Sequence, residues 1–231
     1  MFFSLSQSSS SAIAPVGVAG SMARFALVND YLYTVTISAI NSFNISQPQN
    51  PLFTGVVNMG WGIETIYPFQ NNLFIGSTTG MFIYGTTNPA KPNYIARFSH
   101  ATACDPVVAD NDYAYVTLRT GNACSGQNNQ MDLINIQNLS SPRLVKSYPL
   151  SNPHGLCKDG NVLFICDGTS GLKVYNATNV SDLQLVKTID GINAFDVIAY
   201  NNLALVVGKD GLYQYDYTNL SNIRLLSKLT Y

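Results

Sequence analysis

Residues 71–89 read NNLFIGSTTGMFIYGTTNP, and this stretch sets the pattern that the rest of the chain repeats. A polar turn leads into an apolar strand, a second turn contains Gly80, and a second apolar strand runs back to a polar exit at Asn88 and Pro89. Short runs of β-branched and aromatic residues between Gly, Asn and Pro are typical of strands joined by tight turns. The stretch therefore predicts a β-hairpin.

The hairpin occurs five times. Its second strand carries an aromatic or aliphatic residue with a polar follower at Phe43, Tyr84, Ile134, Tyr175 and Tyr215. These positions are 41, 50, 41 and 40 residues apart, and an apolar anchor in the first strand keeps the same phase. The long step comes from a polar insertion at residues 120–130, TGNACSGQNNQ, which could cap one face of the molecule.

Each copy contains four short strand patterns, which in the second copy cover residues 64–68, 72–77, 80–84 and 93–98. No segment has a sustained helical period. Four strands in about 40 residues are typical of a β-propeller blade. We expect an all-β propeller with a flexible tail at 1–19 and repeats at about 20–59, 60–101, 102–151, 152–192 and 193–231. The five blades either close into a ring or form an arc of a larger propeller.

Composition narrows the function. Hydrophobic residues make up 46% of the chain, charged residues only 11%, and the net charge is −1. Nucleic-acid affinity depends largely on clustered Lys and Arg, so we expect no nucleic-acid partner. No stretch approaches the ~20 apolar residues that a membrane-spanning helix needs. The first residues, MFFSLSQSSSSAIAPVG, lack the basic region and apolar core of a signal peptide.

An ionisable residue stands near the start of the first strand of every copy: Arg24, Glu64, Asp105, His154 and Asp196. First strands line the channel of a propeller, so these side chains are predicted to form a ring at its mouth. Converging polar groups can hold a ligand or a divalent cation, or can divide acid and base roles between them. The same pattern also fits side chains that hydrate a water-filled channel and pair across blades.

A second set of residues lies near the turn between the first and second strands of the hairpin and varies in type from copy to copy: Thr36, Ser77, Arg119, Asp167 and Lys209. Binding residues concentrate on loops held by rigid elements, so Arg119, Asp167 and Lys209 are candidates for recognition at turn tips. The alternative is that they are ordinary solvated turns. The Asn-x-Ser/Thr triplets at the repeat corners are interpreted as turn chemistry, not as glycosylation sites.

Cysteine and tryptophan give further expectations. Cys104, Cys124, Cys157 and Cys166 match no zinc-ligand spacing. Either Cys104 pairs with Cys124 and Cys157 with Cys166, or the thiols stay reduced. Trp61, the single tryptophan, is expected to pack between blades or to form a stacking platform at the channel mouth. The chain contains no nucleophile elbow, P-loop or dinucleotide fingerprint.

The copies LFIGSTTGMFIYGTTNP, LFICDGTSGLKVYNATNV and LALVVGKDGLYQYDYTNL resemble the LVIVD-type repeat. The segments GSMARFALVNDYLYTV, GWGIETIYP, CDPVV and NPHGL are similar to the C-terminal part of LVIVD-repeat proteins of Bacteroidetes, so the resemblance covers about residues 20–231. It implies a β-propeller, a cell-envelope location and no established activity. Such relatives generally carry further repeats upstream and often a lipidated N-terminal Cys, so a lipid-anchored parent chain is implied.

The sequence therefore leaves three alternative hypotheses for the function. The favoured one is a non-enzymatic binding or interaction propeller of the bacterial cell envelope, with an unknown glycan, peptide or protein partner and no cofactor. The alternative is a hydrolase or lyase in which His154 is acid or base beside Asp105 and Asp196, with a divalent cation in the channel. The third is a purely structural repeat array.

Overall fold

The computed structural model describes residues 20–100, 106–120 and 128–231, which form five antiparallel four-stranded sheets. Blade 1 contains β1 (Phe25–Val28), β2 (Tyr31–Val35), β3 (Ala39–Asn44) and β4 (Leu52–Asn58). Blade 2 contains β5 (Ile63–Phe69), β6 (Asn72–Ser77), β7 (Gly80–Gly85) and β8 (Asn93–Ser99). Blade 3 contains β9 (Val107–Ala109), β10 (Tyr113–Leu118), β11 (Gln130–Asn135) and β12 (Arg143–Pro149).

The last two blades repeat this meander. Blade 4 contains β13 (Leu156–Asp159), β14 (Val162–Cys166), β15 (Leu172–Asn176) and β16 (Gln184–Ile189). Blade 5 contains β17 (Ala194–Tyr200), β18 (Leu203–Gly208), β19 (Gly211–Asp216) and β20 (Arg224–Leu229). In the described ranges, the helical structure is a single 3-10 turn at Leu220–Asn222, and no helix there is long and apolar enough to cross a membrane. The all-β fold class expected from the repeat is confirmed.

The sequence landmark of the repeat marks a structural irregularity. In every blade the pairing between the third and fourth strands shifts register next to the landmark residue, at Phe43, Tyr84, Ile134, Tyr175 and Tyr215. Such a β-bulge adds twist and bends the strand. The repeated spacing in the sequence is therefore the spacing of one bulge per blade.

Glycine is required at the tight turn of the hairpin in blades 2 and 5. Gly80 has φ +148, and a Cβ at this position would lie 2.3 Å from the carbonyl oxygen of Phe98 on the fourth strand. Gly211 has the same geometry in blade 5, where a Cβ would lie 2.2 Å from the carbonyl oxygen of Leu229. Only a residue without a side chain fits this backbone and this close approach.

Asparagine side chains close the polar corners. In each of the five Asn-x-Ser/Thr triplets the asparagine side-chain oxygen accepts a hydrogen bond from the backbone N–H two residues further on: Asn44, Asn138, Asn176, Asn179 and Asn219. This is the Asx turn, in which the side chain takes the place of a backbone carbonyl. The triplets thus have a local structural role, as the turn interpretation expects.

The first strands of the blades lie side by side around a common centre. Strand β1 contacts β5, β5 contacts β9, β9 contacts β13, and β13 contacts β17. Apolar side chains fill each of the four spaces between successive sheets, for example Tyr33 against Leu73 between blades 1 and 2. The same arrangement joins blade 2 to 3, 3 to 4 and 4 to 5. The first strand of each blade is therefore the innermost one.

The sheets do not close into a ring. On β1, Ala26 points into the core beside blade 2, whereas its neighbour Phe25 on the opposite face is 55% exposed. On β18, Val206 is 0% and Val207 is 41% exposed, because only the Val206 side packs against blade 4. Within the described residues, no apolar cluster joins blade 5 to blade 1. The five blades form an arc with one uncovered apolar face at each end.

A short segment before β1, residues 20–23, crosses the centre of the arc and is called the crossing segment. The carbonyl of Ala23 accepts from the N–H of Ile66 in blade 2. Ser21 is 1% exposed, and its Oγ accepts from the N–H of Leu156 in blade 4 at 2.8 Å. The same Oγ lies 3.3 Å from Oδ1 of Asp196 in blade 5. The crossing segment thus connects the inner strands of blades 2, 4 and 5.

Candidate functional site

A cavity of about 310 Å³, called the central pocket, lies at the middle of the arc where the inner strands begin. It is lined by Met22, Arg24, Glu64, Thr65, Pro106, Arg119 and His154. Three members of the expected ring, Arg24, Glu64 and His154, meet here from blades 1, 2 and 4. Asp105, the blade 3 member, lies outside the described residues.

The fifth ring member, Asp196, does not line the central pocket. Its carboxylate lies against Gly20 and Gly155, where a Cβ on either glycine would approach a carboxylate oxygen to 2.2 Å and 2.0 Å respectively. Val197 N–H and Ser21 Oγ–H donate to it. The crossing segment covers Asp196, so this side chain belongs to a packed contact beneath the expected ring.

The environment of Asp196 changes its acidity. Burial raises the pKa of the carboxyl to about 6, and the hydrogen bonds from Val197, Ser21 and Met22 offset only part of that effect. Charge in a low-dielectric site is penalised, so the protonated form is favoured. Asp196 is therefore a group whose charge costs stability near neutral pH.

His154 is held from several sides. Its N–H donates to Cys166 O at 2.7 Å, and its carbonyl accepts from Thr117 Oγ1 at 2.6 Å. Its ring packs edge-on against Phe195 with centroids 5.3 Å apart. Asn152 Nδ2 lies 3.2 Å from Nε2. With the Asn152 amide nitrogen as donor, Nε2 accepts, and this hydrogen bond assigns the proton of the neutral ring to Nδ1.

His154 is neutral over the physiological range. Burial and, to a smaller extent, the nearby Arg119 guanidinium lower its pKa to about 4, while Asp167 acts in the opposite direction. A neutral imidazole offers one donor and one acceptor but no charge. Since Nε2 is taken by Asn152, Nδ1–H is the donor that remains for a bound molecule.

Asp167 was a turn-tip candidate, but the structure buries it completely, at 0% exposure. Its carboxylate accepts from the N–H groups of Ser151 and Asn152 and pairs with Lys173 at 2.9 Å. The turn interpretation was wrong here because the carboxylate bends inward to satisfy the corner that precedes His154. Asp167 supports the pocket through Asn152 and does not face solvent.

Arg119 also differs from its expected place. It follows β10 at the turn, yet it lines the central pocket together with Arg24. Arg24 Nη2 lies 3.4 Å from Val35 O, a long contact. Over residues 20–100, 106–120 and 128–231, neither guanidinium has a carboxylate within 4.0 Å. Neither the strand pattern nor the spacing indicated that these two arginines share a cavity.

The remaining turn positions show local chemistry. Lys209 is exposed and donates its N–H to Asn193 O. Thr36 Oγ1 accepts from the N–H groups of Ser38 and Ala39, and Ser77 Oγ donates to Gly80 O at 2.8 Å. None of the three residues lines the central pocket.

The other expectations from Trp and Cys have clear outcomes. Trp61 is 81% exposed, so packing between blades was a wrong prediction; it stands between Gly60 and Gly62, both with φ +95, on a loop directed to solvent. Cys157 and Cys166 are free thiols, because the register pairs Cys157 with Phe164.

Cys104 and Cys124 fall outside the described residues, as does most of the insertion at residues 120–130.

The described residues of the site give little support for a bound metal ion. The described ranges contain no group of three or more His, Cys, Asp and Glu side chains placed to hold an ion. Arg24 and Arg119 in the central pocket oppose a cation electrostatically. The divalent cation stays a prediction.

A second, more open groove of about 420 Å³ was not foreseen. It lies between blades 3 and 4, where Asp110 pairs with Lys158 at 3.0 Å and accepts from Tyr115 Oη at 2.8 Å. Since the carboxylate is already bonded to these groups and to two backbone N–H groups, Asp110 has a structural role in joining the blades.

Comparison with known proteins identifies the architecture. No protein-family model and no curated protein sequence matches the chain. Solved structures match: the computationally designed protein Ika8 (TM-score 0.65, 11% identity over 89% of this chain) and a protein of unknown function from Desulfotomaculum acetoxidans (0.71, 9%, 90%). The periplasmic gluconolactonase of Pseudomonas aeruginosa also matches (0.68, 14%, 89%).

The fold is a β-propeller fold. The chain spans 60% of Ika8 and 69% of each of the other two proteins. At 14% identity or less, the likeness to these structures concerns the fold, and sites must be argued from side chains.

Proposed function

We propose that this chain is a non-enzymatic binding propeller of the bacterial cell envelope, and that the central pocket is its ligand site. The observation that carries the proposal is the meeting of Arg24, Arg119 and the neutral His154 in one concave cavity. A volume of about 310 Å³ lies at the low end of the range for small-molecule pockets, so the ligand is small.

The envelope location draws on the sequence. The resemblance to LVIVD-type repeats of Bacteroidetes supports it, as does a weakly charged chain with fourteen Tyr. The location is tested by fractionating cells of the source organism and detecting the chain with a specific antibody. Recovery with the cytosolic fraction alone overturns it.

The alternative is a hydrolase or lyase. That reaction needs an acid and a base beside each other, whereas Asp196 lies under the crossing segment and His154 has a pKa of about 4. A base with so low a pKa removes protons poorly near neutral pH. These two facts support binding over turnover.

Ligand binding is tested by NMR with the full chain. A library of small polar molecules is added, and the spectra of wild type, Arg24→Gln and Arg119→Gln are compared. We expect shifts at the pocket residues that both variants weaken. Lys209→Gln is the matched control, because it removes a cation that does not line the pocket. Shifts that persist in both pocket variants place binding elsewhere and overturn the proposal.

A further inference from the structure

The lining of the central pocket indicates which chemical class it takes. Two guanidinium groups enter it from different blades, Arg24 ahead of β1 and Arg119 after β10. In the part of the chain that the structure describes, neither forms an ion pair. A guanidinium offers a planar fork of N–H donors that matches a carboxylate, and such charge-assisted bonds are about twice as strong as neutral ones.

His154 adds a donor without adding charge. Its ring contacts Phe195 and Asn152, and with Nε2 bonded to Asn152 the ring nitrogen left for a ligand is Nδ1. Asn152 is itself held through its N–H by the buried Asp167. A preorganised neutral donor beside two cations suits an oxygen-rich anion, because binding does not first require the imidazole to be ordered.

Glu64 limits the charge of the ligand. It is the acidic side chain among the described lining residues, and those described residues carry two positive charges and one negative charge. A second carboxylate on the ligand would be repelled by Glu64, whereas a single carboxylate can approach the arginines. Met22 and Pro106 supply an apolar part of the wall for a carbon skeleton.

We propose that the central pocket binds a small organic monocarboxylate, with Arg24 and Arg119 at the carboxylate and His154 Nδ1–H as a further donor. This inference rests on the proposed function, since it names the ligand class of the same site. It predicts selectivity for one negative charge, and binding that weakens as salt screens the arginines.

The test is a titration of the full chain, followed by NMR and calorimetry, with acetate, lactate, D-gluconate and benzoate as probes. Matched competitors are D-glucitol, which replaces the carboxylate of gluconate by a neutral alcohol, and the dianion succinate. We expect at least one monocarboxylate to bind tenfold or more tightly than glucitol and succinate. Arg24→Gln and Arg119→Gln are each expected to weaken it at least tenfold, and Lys209→Gln to leave it unchanged.

Two further variants separate binding from folding. Arg119→Lys keeps the charge and removes the planar fork, so it should weaken binding less than Arg119→Gln. All variants are compared by urea unfolding, so that a loss of fold is distinguished from a loss of ligand.

The outcomes are distinct. If neutral molecules bind and the arginine variants weaken them equally, the pocket is a ligand site but the monocarboxylate proposal is overturned. If succinate binds as tightly as the monocarboxylates, the charge argument from Glu64 is overturned. If no probe and no library member shifts the pocket residues, both this proposal and the proposed function fall.

Discussion

Ser21 Oγ donates to Asp196 Oδ1 at 3.3 Å, although 175 residues separate the two in the chain. The same oxygen accepts from the N–H of Leu156 at 2.8 Å. One hydroxyl therefore ties the crossing segment to blades 4 and 5, at the side of the arc where no sheet-to-sheet packing joins blade 5 to blade 1 in the described residues. These hydrogen bonds connect the crossing segment, which leads into blade 1, to blades 4 and 5.

Ser21→Ala should destabilise the fold. The change removes the acceptor of a buried N–H and one donor to Asp196, and an unsatisfied buried group costs about 1–3 kcal/mol. Urea unfolding of the variant should show that loss. Ser140→Ala, at an exposed corner where only the backbone N–H is bonded, is the control and should stay within about 0.5 kcal/mol of wild type.

Asp196→Asn should change how stability depends on pH. The folded pKa of about 6 lies above the ordinary value of 3.8, so the stabilisation by the protonated carboxyl is complete below about pH 4 and is lost as pH rises through 6. The cost of the ionised form is on the order of 3 kcal/mol. Asparagine cannot ionise, so the stability of the variant relative to wild type should rise by about 2–3 kcal/mol between pH 4 and pH 7.5.

This pH difference is measured by urea unfolding at both pH values. The thiols of Cys157 and Cys166 lie near Asp196, but burial raises the pKa of both, so they stay neutral throughout. If the difference in unfolding free energy between wild type and Asp196→Asn is the same at both pH values, Asp196 is solvated and the crossing segment does not cover it.

The blade repeat could be predicted from the sequence because the residues that determine it lie close together in the chain. The bulge residue, the turn glycine and the Asn corners recur within about 40 residues, so the blades followed from spacing alone. Arg24, Glu64 and His154 were brought to one cavity by the same phase. Asp196 has the equivalent position, but its burial depends on Ser21, and a contact across 175 residues leaves no local pattern.

The other wrong predictions also concern the burial of single residues. Asp167 looks like a polar turn tip, yet two backbone N–H groups and Lys173 satisfy it inside the protein. Trp61 looks like a core residue, yet the flanking glycines direct its loop outward. In both cases the prediction followed the usual burial of that residue type, whereas specific hydrogen-bond partners or the backbone geometry determined the burial in this structure.

Because one face of blade 5 is uncovered, adjacent positions of β18 should differ in how well they tolerate a charged side chain. Val206→Lys places an ammonium in the packed space beside blade 4 and should cost more than about 3 kcal/mol of unfolding free energy. Val207→Lys, on the face that is 41% exposed, should cost less than about 1 kcal/mol. Urea unfolding compares the two. Equal losses would mean that the outer face of blade 5 is covered in solution.

Arg119→Gln should raise the pKa of His154. The guanidinium disfavours the imidazolium, so its removal shifts the pKa upward from about 4, while burial keeps it below 6.5. The titration is followed by NMR of the imidazole C–H protons, with His100 as internal reference. Lys209→Gln should leave the His154 pKa unchanged. An unaltered pKa in Arg119→Gln would place the guanidinium away from His154 and contradict the shared pocket.

Asp167 and Lys173 should be energetically coupled, because the buried Asp167 carboxylate pairs with the partly exposed Lys173 at the corner that positions Asn152 and His154. Asp167→Ala leaves Lys173 without its carboxylate and frees two backbone N–H groups, which should cost about 3–5 kcal/mol. Lys173→Met should cost less, since the N–H groups of Ser151 and Asn152 still bond to the carboxylate.

The double variant measures the coupling. If the two residues are coupled, the double variant Asp167→Ala/Lys173→Met should lose less unfolding free energy than the two single variants lose together, by at least about 1 kcal/mol. Asp182→Ala, an exposed acid in the connection between β15 and β16, is the control and should add independently to Lys173→Met. The NMR signal of His154 should also move in Asp167→Ala, because Asn152 loses the support that directs it to Nε2. Additive losses with an unchanged His154 signal would show that the buried carboxylate stabilises the turn alone and has no part in shaping the central pocket.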